Sequence, residues 1–259
     1  MNIVVCVKQV PDTWSEKKLA AGDSTLDRAA TDPVMNEMDE YAVEEALKIV
    51  EASGGEVTIV TMGPDAAAET VRKALSMGAD KAIHVLDEGL HGSDAIATSL
   101  VLAKAIARTE FDLVILGSES SDARMSVLPA MLAERLGVPQ LTFAKEVSVE
   151  GTAVQIKRMT DDGYQAVEAT LPAVVSVVEK INEPRYPSFK GIMAAKKKPV
   201  ATLSLADLGV DTGQVGLGGA RSSVASFETA PPRQAGTIVK DEGDGAGKLA
   251  EFLATKKFI

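Results

Sequence analysis

The chain has 259 residues, of which 46% are hydrophobic and 25% are charged, and its formal net charge is −10. This balance is ordinary for a globular protein with a full core and argues against general nucleic-acid binding, while the single cysteine, Cys6, excludes a disulfide framework, a cysteine-rich zinc site and an iron–sulfur cluster held by this chain. No apolar run approaches the roughly 20 residues of a membrane helix and no signal-peptide pattern begins the chain, so we expect a soluble, cytoplasmic protein without membrane insertion.

Strand–helix pairs fill the first half of the chain. Continuous apolar runs predict buried parallel strands at 3–7, 57–62, 82–86 and 113–117. Apolar residues at helical spacing follow each run, and the predicted helices begin at Asn36, Pro64, Ser93 and Ser126. This alternation predicts an α/β fold, namely a mainly parallel, doubly wound, Rossmann-like sheet with helices on both faces. Asn36 and Asp39 look like a capping box at the first helix.

The turn between the fourth strand and its helix is suited to bind an anion. The strand ends at Gly117, a polar turn occupies 118–126, and an apolar-periodic helix runs to Leu136. The free backbone amides of a helix N-terminus attract phosphate. Ser126 can cap this helix, and Pro129 sits in its first turn. An ordinary turn with a capping serine explains the same residues equally well.

The pattern changes in the second half of the chain. Alternating apolar residues around 150–151 predict a hairpin, and a turn at 161–163 leads to a strand near 167–171. A further buried strand is predicted at 172–178. These strands predict a mixed or antiparallel edge on the parallel sheet and complete a nucleotide-binding domain at 1–181.

Two segments follow that domain. In 182–208, Pro184 and Pro187 block regular structure although several neighbouring residues are apolar, and a lysine cluster precedes a short helix. The remaining segment, 209–259, is rich in Gly, Ser, Thr and Pro and ends in a short amphipathic helix. A tail of about fifty residues without its own core does not fold alone. Because apolar residues are spread along it, we expect it to wrap another chain as a C-terminal arm.

No catalytic constellation is visible in the sequence, and no Gly-Lys-Ser/Thr phosphate loop is present. What survives is a nucleotide-sized crevice at the carboxyl ends of the parallel strands. The candidate nucleotide-binding residues are Cys6, Lys8, Asn36, Met62, Gly117, Asp122, Ala123, Arg124, Met125, Ser126, Val127 and Leu128.

Several short stretches, in order over nearly the entire chain, match one known family. They are 7–10, 35–36, 42–46, 74–80, 113–117, 171–175, 182–186, 191–193 and 207–211. Through them the chain resembles the small (beta) subunit of electron-transfer flavoproteins, and 182–193 is the most specific of the matching regions.

The resemblance implies a heterodimer with a large alpha subunit that holds most of a redox FAD. The beta subunit of that family buries an AMP, and its C-terminal arm wraps the partner. Electrons pass from flavin-linked dehydrogenases, such as the acyl-CoA dehydrogenases of fatty-acid oxidation, through this FAD to a quinone-linked oxidoreductase. Since the flavin carries the redox chemistry, we expect an electron carrier without catalytic residues of its own and without a metal site.

The resemblance also makes 182–193 the recognition loop, which anchors the subunit to a dehydrogenase. The anchoring leucine of the family corresponds to Phe189 here. The candidate partner-binding residues are Arg185, Tyr186, Phe189, Ile192 and Met193.

Departures from the family pattern leave alternatives open. Ordinary members carry an acidic run followed by Asn, Gln and Thr-Gly in the phosphate loop, and bifurcating members, which bind a second FAD in place of AMP, carry Gly-Asp-Thr-Ala-Gln-Val-Gly. Here 121–128 matches neither, although Asp122 keeps its place and Arg124 can pair with a phosphate. Thr13 and Met38 stand where the family has aromatic residues near the flavin. The alternatives to an AMP-containing electron carrier are a bifurcating complex and a stand-alone adenine-nucleotide sensor.

Overall fold

The structure is a computed structural model that describes residues 1–232, 235–236 and 238–259. The described residues form two compact units, Met1–Ala225 and Ser226–Ile259. The first unit contains the sheets and the buried cores, and the second contains the C-terminal helix. Among the described helices, none combines the length and the apolar character needed to cross a membrane.

The strands and helices follow the predicted alternation. The strands are β1 (Asn2–Cys6), β2 (Gln9–Pro11), β3 (Pro33–Met35), β4 (Glu56–Met62), β5 (Lys81–Val85), β6 (Leu113–Gly117), β7 (Gln140–Glu150), β8 (Ala153–Thr160), β9 (Gly163–Thr170), β10 (Ala173–Val177) and β11 (Val200–Leu203). The helices are α1 (Glu37–Ser53), α2 (Ala68–Met77), α3 (Ala95–Ile106), α4 (Leu128–Leu136), α5 (Phe189–Ala195), α6 (Leu205–Leu208), α7 (Gly216–Gly219) and α8 (Gly245–Thr255).

The main sheet has nine strands in the order β11-β5-β4-β1-β6-β10-β7-β8-β9. Strands from β11 to β7 pair in parallel, and β7, β8 and β9 pair antiparallel. The α/β class and the mixed edge are therefore confirmed.

Side chains of β1 alternate between two hydrophobic cores. Ile3 and Val5 pack with residues of α1 and α2, whereas Val4 and Cys6 pack with residues of α3 and α4. Since successive residues of a strand point to opposite faces, a strand covered on both faces is apolar over most of its length. This explains the continuous apolar runs that identified the parallel strands.

Three predicted helix starts differ from the structure. A 3-10 turn, Asp65–Ala67, separates Pro64 from α2. Asp94, not Ser93, caps α3, because its Oδ1 accepts a hydrogen bond from the Ala97 amide. The third difference, at Ser126, lies in the candidate site.

Some elements were not predicted. β2 and β3 form a small antiparallel sheet, and β11 extends the edge beside β5. The expectation of irregular structure throughout 182–193 was wrong in its second half, because Ser188 caps α5 directly after Pro187. A proline restricts the residue before it and lacks a donor, but a helix can start just beyond it.

The compact first unit continues past residue 208. Val210 and Val215 are buried, and the Gly216 amide donates to Ser93 Oγ over 2.9 Å. The Leu217 amide donates to the His91 carbonyl over 2.9 Å. The segment with no place in the first unit therefore begins at Ser226 rather than at Gly209.

Candidate functional site

The candidate site lies where β1 and β6 end side by side. The sheet extends from β1 through β4, β5 and β11 on one side, and from β6 through β10 and β7 on the other. Helix α1, which follows β1, and helix α4, which follows β6, cover opposite faces, so this topology predicts a crevice between the carboxyl ends of β1 and β6. Such a switch point is where open α/β sheets bind ligands.

A buried carboxylate joins the three chain segments that build this crevice. Asp39 Oδ2 accepts a hydrogen bond from the Lys8 amide over 2.8 Å, and its Oδ1 accepts from Asn36 Nδ2 over 3.0 Å. Gly117 packs directly against the same carboxylate. A Cβ at position 117 would lie 2.5 Å from Met38 Cβ and 2.7 Å from Asp39 Oδ1, so glycine is required there.

Asn36 links α1 to the loop after β6. Its Nδ2 donates to the Glu119 carbonyl over 3.0 Å, and its Oδ1 accepts from the Ser121 amide over 3.1 Å. Asn36 occupies the N-cap position as predicted, but the capping-box interpretation was wrong, because its amide serves Asp39 and the loop instead of the α1 backbone.

Burial changes the acidity of two groups beneath the crevice. It raises the pKa of Asp39 from 3.8 to about 7, although hydrogen bonds from Asn36 and Lys8 and the nearby Lys8 charge act in the opposite direction. Burial also raises the pKa of the Cys6 thiol, with a smaller contribution from the charge of Asp39. Cys6 is therefore a protonated core residue whose thiol packs among apolar side chains.

A small ion cluster closes one side of the crevice. Lys8 Nζ lies 2.7 Å from Asp122 Oδ1 and 3.2 Å from Ser120 Oγ, and Arg28 lies 3.7 Å from Asp122 Oδ2. The Asp122 side chain is only 4% exposed. Burial raises the pKa of Asp122, but the charge and hydrogen bond of Lys8 outweigh it, with help from Ser120 and Arg28, and hold that pKa below its usual value. The two cations and one carboxylate leave a net positive charge.

The loop from Ala123 to Ser126 stands at the start of α4. Ala123, Arg124 and Met125 are exposed, and Arg124 and Ser126 adopt left-handed φ values of 49° and 55°. Residues other than glycine take this conformation at a cost, and such strain often accompanies a functional loop. The loop therefore turns sharply just before the helix.

Ser126 does not cap α4 as predicted, because its Oγ donates to Glu119 Oε2 over 2.8 Å. Val127 is the N-cap residue, and in the described chain no side chain accepts from the first amides of the helix. Pro129 sits in the first turn as predicted. The half-buried Leu128 packs on the core, so the start of α4 can offer a ligand backbone amides but no polar side chain from 127–128.

One hydroxyl in the crevice lacks a partner. Ser121 Oγ is buried, yet it makes no hydrogen bond to any residue that the structure describes. An unsatisfied buried hydroxyl costs about 1–3 kcal/mol, so it indicates a bound ligand or water.

The structure therefore brings some predicted residues together and leaves others apart. Asp39 and its partners connect Lys8, Asn36, Gly117 and Asp122, whereas Met62 is half-buried against the core. Sequence reasoning gave Asp39 no binding role and missed Arg28. Arg28 lies in an irregular polar stretch. The sequence there has no hydrophobic periodicity that could indicate where the chain runs.

The predicted partner residues lie on a separate surface. Tyr186 and Phe189 are exposed over 95% and 82% of their surface, and Ile192 and Met193 are about half exposed. Arg185 instead turns inward and pairs with Glu44 of α1.

Comparison with known proteins decides the family. A family model described as the electron transfer flavoprotein domain matches residues 23–208. The chain belongs to the electron transfer flavoprotein family. The beta subunit of Mycobacterium tuberculosis (strain H37Rv) is 54% identical over 264 residues, which cover 100% of this chain and 99% of that protein. The beta subunit of Megasphaera elsdenii is 35% identical over 271 residues and all of both chains.

A third relative belongs to a differently named complex. Subunit CarD of the caffeyl-CoA reductase–Etf complex of Acetobacterium woodii is 34% identical over 263 residues, again over all of both chains. The full-length matches make this electron transfer flavoprotein chain a beta-type subunit of an electron carrier.

Replacing Asp39 by Asn should change how stability depends on pH. Because the folded pKa of about 7 lies above the unfolded 3.8, the folded protein binds more protons between these values, and its free energy of unfolding falls as the pH rises, by up to about 1.4 kcal/mol per pH unit. An asparagine at position 39 does not titrate. Its NH2 group would also face the N–H donors that now bond to the carboxylate, which costs about 1–3 kcal/mol of stability. In urea unfolding, the stability lost in Asp39→Asn should therefore be largest near pH 5 and shrink towards pH 8.

The exposed Glu37, two residues away in the same turn, gives a matched control. Glu37→Gln should keep the pH dependence of the parent. A loss of stability in Asp39→Asn that stays constant from pH 5 to pH 8 would contradict the raised pKa.

Proposed function

We propose that this chain is the beta subunit of a heterodimeric electron transfer flavoprotein. It takes electrons from flavin-linked dehydrogenases, such as acyl-CoA dehydrogenases, through an FAD held mostly by an alpha subunit, and delivers them to a quinone-linked acceptor. The observation that carries the proposal is the full-length similarity to beta subunits. When bound, the FAD supplies the redox chemistry, and this chain binds and orients.

The switch-point crevice is proposed to hold AMP. Three features support a nucleotide there: the uncapped start of α4, the positive balance of Lys8, Arg28 and Asp122, and the unpartnered Ser121 hydroxyl. Backbone amides and cations suit a phosphate. Lys8, Asn36, Gly117 and the 122–128 loop would surround the ligand, whose role is structural because it stabilises the folded state that binds it.

A bifurcating complex with a second FAD in this crevice remains the second candidate. Its support is the similarity to a subunit of a caffeyl-CoA reductase–Etf complex. The 121–128 sequence does not separate the two candidates. Its side chains at 127–128 are apolar, so recognition is left to backbone amides and neighbouring cations, which suit a phosphate of either nucleotide. A stand-alone nucleotide sensor is disfavoured by the full-length similarity.

The nucleotide content of the purified heterodimer separates these candidates. Denaturation should release one FAD, identified by its visible spectrum, and one AMP, identified by chromatography and mass. Two FAD and no AMP per heterodimer would replace the AMP assignment with the bifurcating one.

The second unit is proposed to be the arm that docks on the alpha subunit. Phe227, Ile238, Val239, Leu249 and Phe252 are exposed along it. A segment with this much exposed apolar surface needs a partner to cover it. We propose 226–259 as the arm, instead of the whole of the predicted 209–259, because Val210 and Val215 are buried in the first unit.

Truncation after Ala225 tests the arm. The shortened chain should keep its cooperative unfolding, because both cores lie before residue 226, and its affinity for the alpha subunit should fall at least about 10-fold. The measurements are circular dichroism during heating and titration calorimetry with the alpha subunit. Unchanged affinity in a folded truncated chain would reject the arm.

The exposed apolar residues of 186–193 are proposed to anchor a dehydrogenase. Phe189→Ala should weaken dehydrogenase binding by about 1–3 kcal/mol, the usual range for an interface anchor. Electron transfer from an acyl-CoA dehydrogenase should slow at limiting concentrations, while reduction by dithionite should not. The exposed Lys104 of α3, which lies outside this stretch, gives the control Lys104→Ala, which should change neither rate. Dehydrogenase-linked kinetics equal to the parent in Phe189→Ala would remove the anchoring role.

A further inference from the structure

The recognition segment, defined as 182–198, is fixed to the body of the fold at its start. Asn182 Nδ2 donates to the Tyr41 carbonyl over 3.0 Å and to Glu45 Oε2 over 2.9 Å. Arg185 then reaches two carboxylates of α1. Both the start of the segment and its first basic residue are therefore attached to one helix.

The Arg185 guanidinium is engaged on two sides. Its Nε and one terminal nitrogen donate to the two oxygens of Glu44 over 2.7 and 3.0 Å. The terminal nitrogens also donate to the oxygens of Glu51 over 2.5 and 3.1 Å, and the Arg185 backbone amide donates to Glu44 over 3.1 Å. A planar guanidinium bound by two carboxylates is fixed in its orientation as well as in its distance from them.

The contacts of Arg185 with Glu44 and Glu51, here called the clamp, are partly buried, so they differ from an ion pair on the surface. The Glu44 side chain is 8% exposed and that of Arg185 is 34% exposed, whereas Glu51 is exposed. Glu51 and Glu44 raise the pKa of Arg185, and Arg185 holds the pKa of Glu51 below its usual value. A buried carboxylate needs a charge partner, so Glu44 keeps Arg185 turned inward.

The rest of the segment is fixed on α2. Gly191 packs so closely on the Ser76 carbonyl that a Cβ there would overlap with it. At the far end, Lys198 Nζ donates to the carbonyls of Leu75, Gly78 and Ala79 over 3.0, 3.1 and 2.6 Å, at the C-terminal end of α2. A cation at this position satisfies carbonyls that lack helical partners.

The charged contacts thus face inward while two aromatic side chains face outward. Tyr186 directly follows Arg185, and Phe189 opens α5. We propose that Arg185 is a positioning residue for partner docking: its clamp on Glu44 and Glu51 holds Tyr186 and Phe189 in the orientation that a dehydrogenase meets. This inference rests on the proposed anchoring role of 186–193. Fixing the segment in advance reduces the ordering that docking requires.

The test uses the FAD-containing heterodimer, with reduction of its flavin by a purified acyl-CoA dehydrogenase and an acyl-CoA followed by absorbance. Arg185→Gln should raise the half-saturating concentration about 10-fold and leave the maximal rate within about 2-fold. Arg185→Lys, which keeps the charge but loses the planar guanidinium, should give an intermediate value. Lys104→Ala removes an exposed charge on α3, outside the recognition segment, and should match the parent. If Arg185→Gln does not fold, Glu51→Gln replaces it, and an increase of about 3-fold is expected.

A double variant separates positioning from direct contact. If Arg185 acts through Phe189, adding Arg185→Gln to Phe189→Ala should change the half-saturating concentration by less than about 2-fold. Full additivity would overturn the positioning role, because it indicates an independent contact. An effect of Phe189→Ala without any effect of Arg185→Gln or Glu51→Gln would also overturn it. Absence of an effect in Phe189→Ala would instead reject the anchoring role itself.

Discussion

The crevice depends on one carboxylate that lies among groups which are far apart in sequence. Lys8 follows β1, Asn36 precedes α1 and Gly117 ends β6. Asp39 accepts hydrogen bonds from the Lys8 amide and the Asn36 side chain, and Gly117 packs directly against it. These two donors bond to different oxygens of Asp39, whereas a neutral amide of similar size has a single acceptor oxygen. The raised pKa shows that this arrangement works against the preference of a carboxylate for water. The ends of the central strands are thus joined by a group that is itself destabilised by burial.

The unfavourable burial of Asp39 indicates that this corner serves a function and does not primarily stabilise the fold. The same corner contains two left-handed residues, Arg124 and Ser126, a buried Asp122 and an unpartnered Ser121 hydroxyl. Local strain and unsatisfied polar groups accumulate where a ligand completes the structure. In contrast, the side chains of the parallel strands below are mainly buried and apolar.

Strong periodic patterns in the sequence made most of the fold predictable. The buried strands and the amphipathic helices carry them, and so does the hairpin at 150–151. β2, β3 and β11 were missed because each has only three or four residues, too few for a period to appear. The crevice was predictable from topology, and Lys8, Asn36, Gly117 and Asp122 were among the residues named. Arg28 and the inward turn of Arg185 were not, since both depend on tertiary contacts between distant segments.

Helix α1 has two duties along its length. Its first turn, with Asn36 and Asp39, builds the crevice, and Glu44 and Glu51 hold the recognition segment further along. From Asp39 to Glu51 the helix rises roughly 18 Å, at 1.5 Å per residue. An unbroken helix has a fixed rise per residue, so it sets the distance between the nucleotide crevice and the surface beside Tyr186 and Phe189. The two surfaces are therefore held at a constant separation along the axis of α1, and neither can shift along that axis without the other.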